Sequence, residues 1–212
     1  MKEMFEKLFE FTPATLSILA VLAIIGIGGL VFLKKSKEVQ FTTRMIVYGS
    51  LCISLSFVLS FIRLGRLPQG GTITPASMLP MILFAVMFGP IPGIIAGLAY
   101  GMLQYFQDGY VVHWAQFFLD YPLAFGLLGL AGLYRKNLVV STFIGGLGRF
   151  TMHFLSGIIF FAEYAPEGTP VALYSLIYNG SFLGVDLLIC AAIAILPQIR
   201  NITRYVQGNA TL

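Results

Sequence analysis

Three residues stand where hydrocarbon is expected. Asp120 lies in QFFLDYPLAF (116–125), His153 in RFTMHFLSGIIFF (149–161) and Asn179 in YSLIYNG (174–180). Polar and ionisable groups within apolar runs are costly, so they mark candidate binding or relay sites. A carboxylate, an imidazole and an amide, with Tyr121, Phe161 and Tyr174 beside them, suit a planar, nitrogen-rich cation. The carboxylate answers the charge and aromatic faces attract a cation. An amide offers both donor and acceptor to an aminopyrimidine edge.

Each residue also has a quieter role available. Asp120 could pair with His153 or Arg149, His153 could be a satisfied core histidine, and Asn179 could join helices. Asp186 reads as structural, and Arg149 reads as lying near the inner leaflet, where it can snorkel or pair. His153, Gly157 and Phe161 share one helix face, and Gly157 leaves a gap there for a flat ring. Tyr174 lies about 140° from Asn179 on an ideal helix, so both reach one pocket only at its edges or from an irregular turn. Gly93, Gly97 and Gly101 predict close helix packing. No phosphate-binding loop, H-E-x-x-H, cysteine cluster or G-x-S-x-G is present, so neither an enzyme, a metal nor a cofactor is indicated.

The elements that position these groups are membrane helices. Of 212 residues, 58% are hydrophobic and 10% charged, and the mean hydropathy is +0.87. That composition predicts an all-α integral membrane protein in one bundle. Cys52 and Cys190 fall in apolar runs and read as buried thiols. The net charge of +4 sits at the flanks of apolar segments and does not indicate nucleic acid. Apolar runs predict spans near 13–33, 43–62, 76–89, 93–106, 112–133, 138–164 and 171–196, with Pro90 and Pro92 separating two short helices. The chain divides into an N-terminal extra helix with its flanks (1–38), a six-helix bundle (39–198) and a cytoplasmic tail (199–212). Lys34, Lys35, Lys37, Arg44, Arg135, Lys136, Arg200 and Arg204 collect on one side, which predicts a cytoplasmic C-terminus and an extracellular N-terminus. Asp120, His153 and Asn179 then share one depth in the outer half.

These stretches, together with LPQGGTITP (67–75), resemble the thiamin-specific S component of bacterial energy-coupling-factor (ECF) transporters, over about residues 40–197. The resemblance implies a six-helix S-component bundle, here with one additional N-terminal transmembrane helix, in the plasma membrane. It implies high-affinity capture of thiamin from outside. The implied partners are an ECF transmembrane coupling protein and two ATP-binding subunits, whose ATP hydrolysis topples the S component in the lipid bilayer. It places ligand contacts on Asp120, Tyr121, His153, Gly157, Phe161, Tyr174 and Asn179, and a lid on Gly70, Gly71, Thr72 and Thr74. Ser50 and Ser54 stand where the family docks through Ala-xxx-Ala. Some members carry Glu at 120, Trp at 161 and a Trp in the lid; this chain has Asp120, Phe161 and no lid tryptophan. Two other readings use the same residues. One is an S component for hydroxymethylpyrimidine or pyridoxine. The other is an autonomous proton-coupled transporter running through Asp120, His153 and Asp186.

Overall fold

A computed structural model describes Lys34 and residues 39–209. The extra helix expected at 13–33, and the side on which the N-terminus lies, fall outside the described residues. Helix α1 (Thr43–Phe61) starts at Thr42, whose hydroxyl accepts the Met45 N–H at 3.2 Å and so satisfies one of the first-turn donors. One side of α1 leaves Ile46, Val47, Leu51, Leu55 and Val58 exposed while Gly49, Ser56 and Ser60 are buried, as a lipid-facing helix would. Ser50 and Ser54 lie on its exposed surface.

A hairpin interrupts the helices: β1 (Gly65–Arg66) pairs antiparallel with β2 (Thr72–Ile73) around a 3-10 turn at Pro68–Gly70. Gly70 has φ 94°, a left-handed conformation that costs a glycine nothing. Then come α2 (Leu79–Phe88), almost wholly buried, and α3 (Pro90–Asp108). The prolines do not separate these helices as a linker. Gly89, with φ 101°, makes the turn, and Pro90 and Pro92 sit in the first turn of α3, where a missing N–H breaks no helical bond.

Helix α4 (Trp114–Leu133) is irregular. An α-helical start (Trp114–Phe118) passes into a π-turn (Leu119–Leu123) around Pro122, and the last part (Leu127–Leu133) winds as 3-10. The widened π-turn accommodates a proline that a regular α-turn would expel, and such turns recur at functional sites. Helix α5 (Leu138–Phe160) ends earlier than the apolar run suggests, at Phe161, before a 3-10 turn at Ala162–Tyr164. Helix α6 (Val171–Ile195) is regular throughout. The supposed tail is instead a further helix, α7 (Pro197–Asn209). Leu196 is extended, as a residue before proline prefers, and the chain resumes helically at Pro197.

Helices α1, α4, α5 and α6 are long and apolar enough to cross a membrane, so this is a membrane protein. Helix α5 packs against α4 and α6, and α3 lies along α4. A Cβ at Gly97 would stand 2.9 Å from the Gly126 Cα and nearer still to the Phe125 carbonyl. Gly97→Ala should therefore force α3 away from α4 and destabilise the protein by about 1–3 kcal/mol. A lowered midpoint of thermal unfolding in detergent would register it, and an unchanged midpoint would contradict the packing.

Candidate functional site

The cavity opens at the hairpin end of the bundle and contains about 920 Å³ of empty space counted to its mouth. Helices α4, α5 and α6, the β-hairpin and the turn after α3 form its walls. Asp120, Tyr121, His153, Gly157, Phe161, Tyr174 and Asn179 all line it, as do Gly70, Gly71 and Thr72. Thr74 is not in the lining. It is buried below, between Ser77 Oγ at 2.7 Å and Asp186 Oδ1 at 3.0 Å.

The π-turn of α4 turns Asp120 into a dense set of donors. Gln116 Nε2 donates to its Oδ2 at 2.5 Å and Ser156 Oγ donates at 2.8 Å, while His153 Nδ1 lies 3.0 Å from Oδ1. Arg149 Nε donates to His153 Nε2 at 3.4 Å. His153 thus meets the Arg149 guanidinium at Nε2 and the Asp120 carboxylate at Nδ1. Of the two roles open to Arg149, snorkelling and pairing, the structure shows pairing. Arg149 is buried, lies 4.2 Å from the Phe125 ring centre and pairs with Asp186 at 3.9 Å. A guanidinium this deep needs both a countercharge and an aromatic face.

Gly157 serves α5–α6 contact. The space its missing Cβ leaves is taken by Ser175, whose Cβ would be 2.9 Å away, and by Asn179 Nδ2 at 3.2 Å. The gap expected for a flat ring is thus filled from α6. Asn179 Nδ2 donates to the carbonyls of His153 at 3.2 Å and Ser175 at 3.0 Å. Those two carbonyls fix the amide's orientation and leave its Oδ1 without a partner among the described residues. Tyr174 and Asn179 reach the cavity from opposite edges of a regular helix, one of the two ways their angular separation allowed.

Several lining residues were not singled out from the sequence. Tyr110 stacks over Phe161 at 6.2 Å and 29°, and its hydroxyl lies 3.2 Å from that of Tyr164. That bond holds the Tyr164 hydroxyl above the usual tyrosine pKa. Tyr121 accepts the Tyr110 N–H at 2.6 Å, which fixes the loop after α3 over the cavity. Tyr178 accepts the Gly71 N–H at 3.1 Å and donates to the Pro68 carbonyl, so α6 holds the hairpin from beneath. Helical spacing carried the signal for two of them: Gln116 is four residues before Asp120, and Tyr178 four after Tyr174. At the mouth, Asp108 is paired with Arg63 at 3.1 Å and Arg66 at 2.9 Å.

The charges resolve simply. Arg149 is committed to Asp186, and Asp108 to two arginines. Asp120 is left as the cavity carboxylate without a lysine or arginine partner among the described residues, in a cavity lined also by aromatic rings and by Asn179. This arrangement can hold a flat cation with a hydrogen-bonding edge. Among the described residues no group of three or more His, Cys, Asp and Glu could hold a metal.

A family model described as thiamine transporter protein matches residues 46–205. The thiamine transporter ThiT of Bacillus subtilis is 34% identical over 144 residues, which cover 60% of this chain and 74% of that protein. ThiT of Lacticaseibacillus paracasei is 32% identical over 123 residues, covering 49% of this chain and 61% of that protein. Among solved structures, ThiT from Listeria monocytogenes aligns with a TM-score of 0.63 at 24% identity, over 79% of this chain and 95% of that one. The S component of a bacterial ECF transporter aligns with a TM-score of 0.51 at 20% identity, over 77% and 98%. These two structural likenesses concern the fold.

Proposed function

From the premise that the chain belongs to the thiamine transporter protein family, we propose that it is the thiamin-capturing membrane subunit of an ECF-type uptake system. One observation carries the reading: a carboxylate, Asp120, with no lysine or arginine partner among the described residues, in an aromatic cavity lined by the hairpin. Thiamin is a planar aminopyrimidine joined to a cationic thiazolium ring. Asp120 balances the cation, Tyr121, Phe161 and Tyr174 offer ring faces, and Asn179 Oδ1 accepts from an amino group. Gly157 lets α5 and α6 close around them. Gly70, Gly71 and Thr72 form the lid, and Thr74 anchors it. Phe161 presents less area than the tryptophan of some relatives, and Tyr110 stacked on it restores part of that wall.

In this reading α1–α6 are the S-component bundle, and the cavity faces outward with the C-terminus in the cytoplasm. The exposed Ser50 and Ser54 edge of α1 meets the transmembrane coupling protein, since small residues let helices approach closely. Two ATP-binding subunits supply the energy. A proton path is disfavoured by the layout of groups: among the described residues the chain Asp120–His153–Arg149–Asp186 has no carboxylate or histidine beyond Asp186 towards the opposite end.

Uptake into vesicles separates the readings. Labelled thiamin should accumulate only when the chain is reconstituted with a coupling module and ATP is supplied. Accumulation by the chain alone under a pH gradient would overturn the assignment. A second expectation concerns the lid. Tyr178→Phe removes the hydroxyl that joins Gly71 and Pro68 to α6, about 1–3 kcal/mol of hydrogen bonding. Thiamin should leave about tenfold faster in stopped-flow release, with little change in the rate of binding. An unchanged release rate would mean that Tyr178 does not hold the lid.

A further inference from the structure

We propose that the end of the bundle opposite the cavity carries a second binding site, for the phosphate of an anionic phospholipid, formed by Lys136, Arg200 and Arg204. The site is a notch between α7 and the turn joining α4 to α5, with about 300 Å³ of empty space counted to its open side. Residues 200, 203, 204 and 207 follow helical spacing and present one face of α7 to that turn.

The neutral groups and one cation of the notch are already engaged. Arg135 donates from Nε to the Val86 carbonyl at 2.7 Å and also to Met87, which caps the end of α2 and fixes the turn. Gln207 Nε2 donates to Val86 O at 2.9 Å and seats α7 against the same residues. Asn137 Oδ1 accepts the Val139 and Val140 N–H groups, and Thr203 Oγ1 donates to Ile199 O at 2.7 Å. Lys136, Arg200 and Arg204 remain, with no hydrogen bond or ion pair among the described residues. The described carboxylates are Asp108, Asp120, Glu163, Glu167 and Asp186. Asp108 and Asp120 line the cavity, Glu163 and Glu167 lie in the connection between α5 and α6, and Asp186 is paired with Arg149. Three cations lining one notch without a countercharge among the described residues repel one another and call for an anion.

The placement of α7 identifies the source of that anion. Thr203 and Val206 are buried on the bundle, whereas Ile202 is 61% and Tyr205 71% exposed on the flank away from Arg200 and Arg204. Just before it, Ile195 and Leu196 of the spanning helix end are exposed as well. A helix with one apolar and one cationic flank at the end of a membrane bundle lies at headgroup depth. A basic pocket between helix ends there suits a phospholipid phosphate.

Native mass spectrometry of the full chain tests this with phosphatidylglycerol against phosphatidylcholine, each added to protein stripped in detergent. The chain should retain one phosphatidylglycerol about 100-fold more than phosphatidylcholine, the scale of three juxtamembrane cations at about 1 kcal/mol each. Lys136→Gln/Arg200→Gln/Arg204→Gln should abolish the preference while thiamin binding at the distant cavity stays at the wild-type level, which shows that the variant is folded. Equal retention of the two lipids, or an undiminished preference in the triple variant, would overturn the proposal. Inorganic phosphate at millimolar concentration should leave the bound lipid in place. Displacement by it would assign the site to soluble phosphate and overturn the lipid reading.

Discussion

Asp120→Asn lowers the affinity for thiamin by about 100-fold, which corresponds to about 2.8 kcal/mol. The size follows from the charge. A carboxylate within about 5 Å of a cation in a partly desolvated site contributes roughly 3 kcal/mol at an effective dielectric constant near 20. Asparagine keeps the shape, and its one oxygen can still accept from Ser156 and Gln116 while its amide nitrogen takes the position facing His153 Nδ1, so little of the loss is packing. Asp186→Asn should cost far less, about tenfold or below, because Asp186 does not line the cavity. A neutral aminopyrimidine alcohol separates charge from shape, since its binding should fall only slightly in Asp120→Asn. Equal losses for Asp120→Asn and Asp186→Asn, or equal losses for the cation and the neutral analogue, would show that Asp120 does not act through its charge.

Arg149→Met destabilises the protein by about 3–5 kcal/mol, because it leaves Asp186 buried and unpaired. The double variant Arg149→Met/Asp186→Leu removes both charges and should recover most of that loss. Thermal unfolding in detergent reads both effects. The recovered variant should still bind thiamin weakly. Arg149 donates to His153 Nε2, and without it the imidazole that contacts Asp120 loses one of the two hydrogen bonds that hold it. Additive destabilisation, with the double variant worse than either single one, would mean that the two residues are not a pair.

The polar positions inside apolar runs were readable because hydrocarbon makes a carboxylate, an imidazole or an amide conspicuous. Asp120, His153 and Asn179 stood out for that reason, and helix lengths placed them at a common depth. The glycines at 93, 97 and 101 were readable as close packing because their four-residue spacing fits one helix face. The hairpin was not readable: two-residue strands have no alternation to detect, and only the turn residues around Gly70 hinted at it. Tyr110 and Tyr178 were hidden because tyrosine at a membrane interface is common, and their roles depend on loops that fold back over the cavity. Whether Arg149 snorkels or pairs was not legible, because position along a helix gives depth but not direction, and its partner Asp186 comes from another helix. Helix α7 was read as a tail since Pro197 ends one helix and also starts the next.

The central claim is that the Asp120 cavity binds thiamin. Titration of the purified chain, followed through Trp114, its only tryptophan, and checked by calorimetry, tests it most directly. A dissociation constant on the order of nanomolar, about −12 kcal/mol, with one thiamin per chain and a marked loss in Asp120→Asn, is the predicted result. No heat and no fluorescence change at thiamin concentrations of hundreds of micromolar would contradict it.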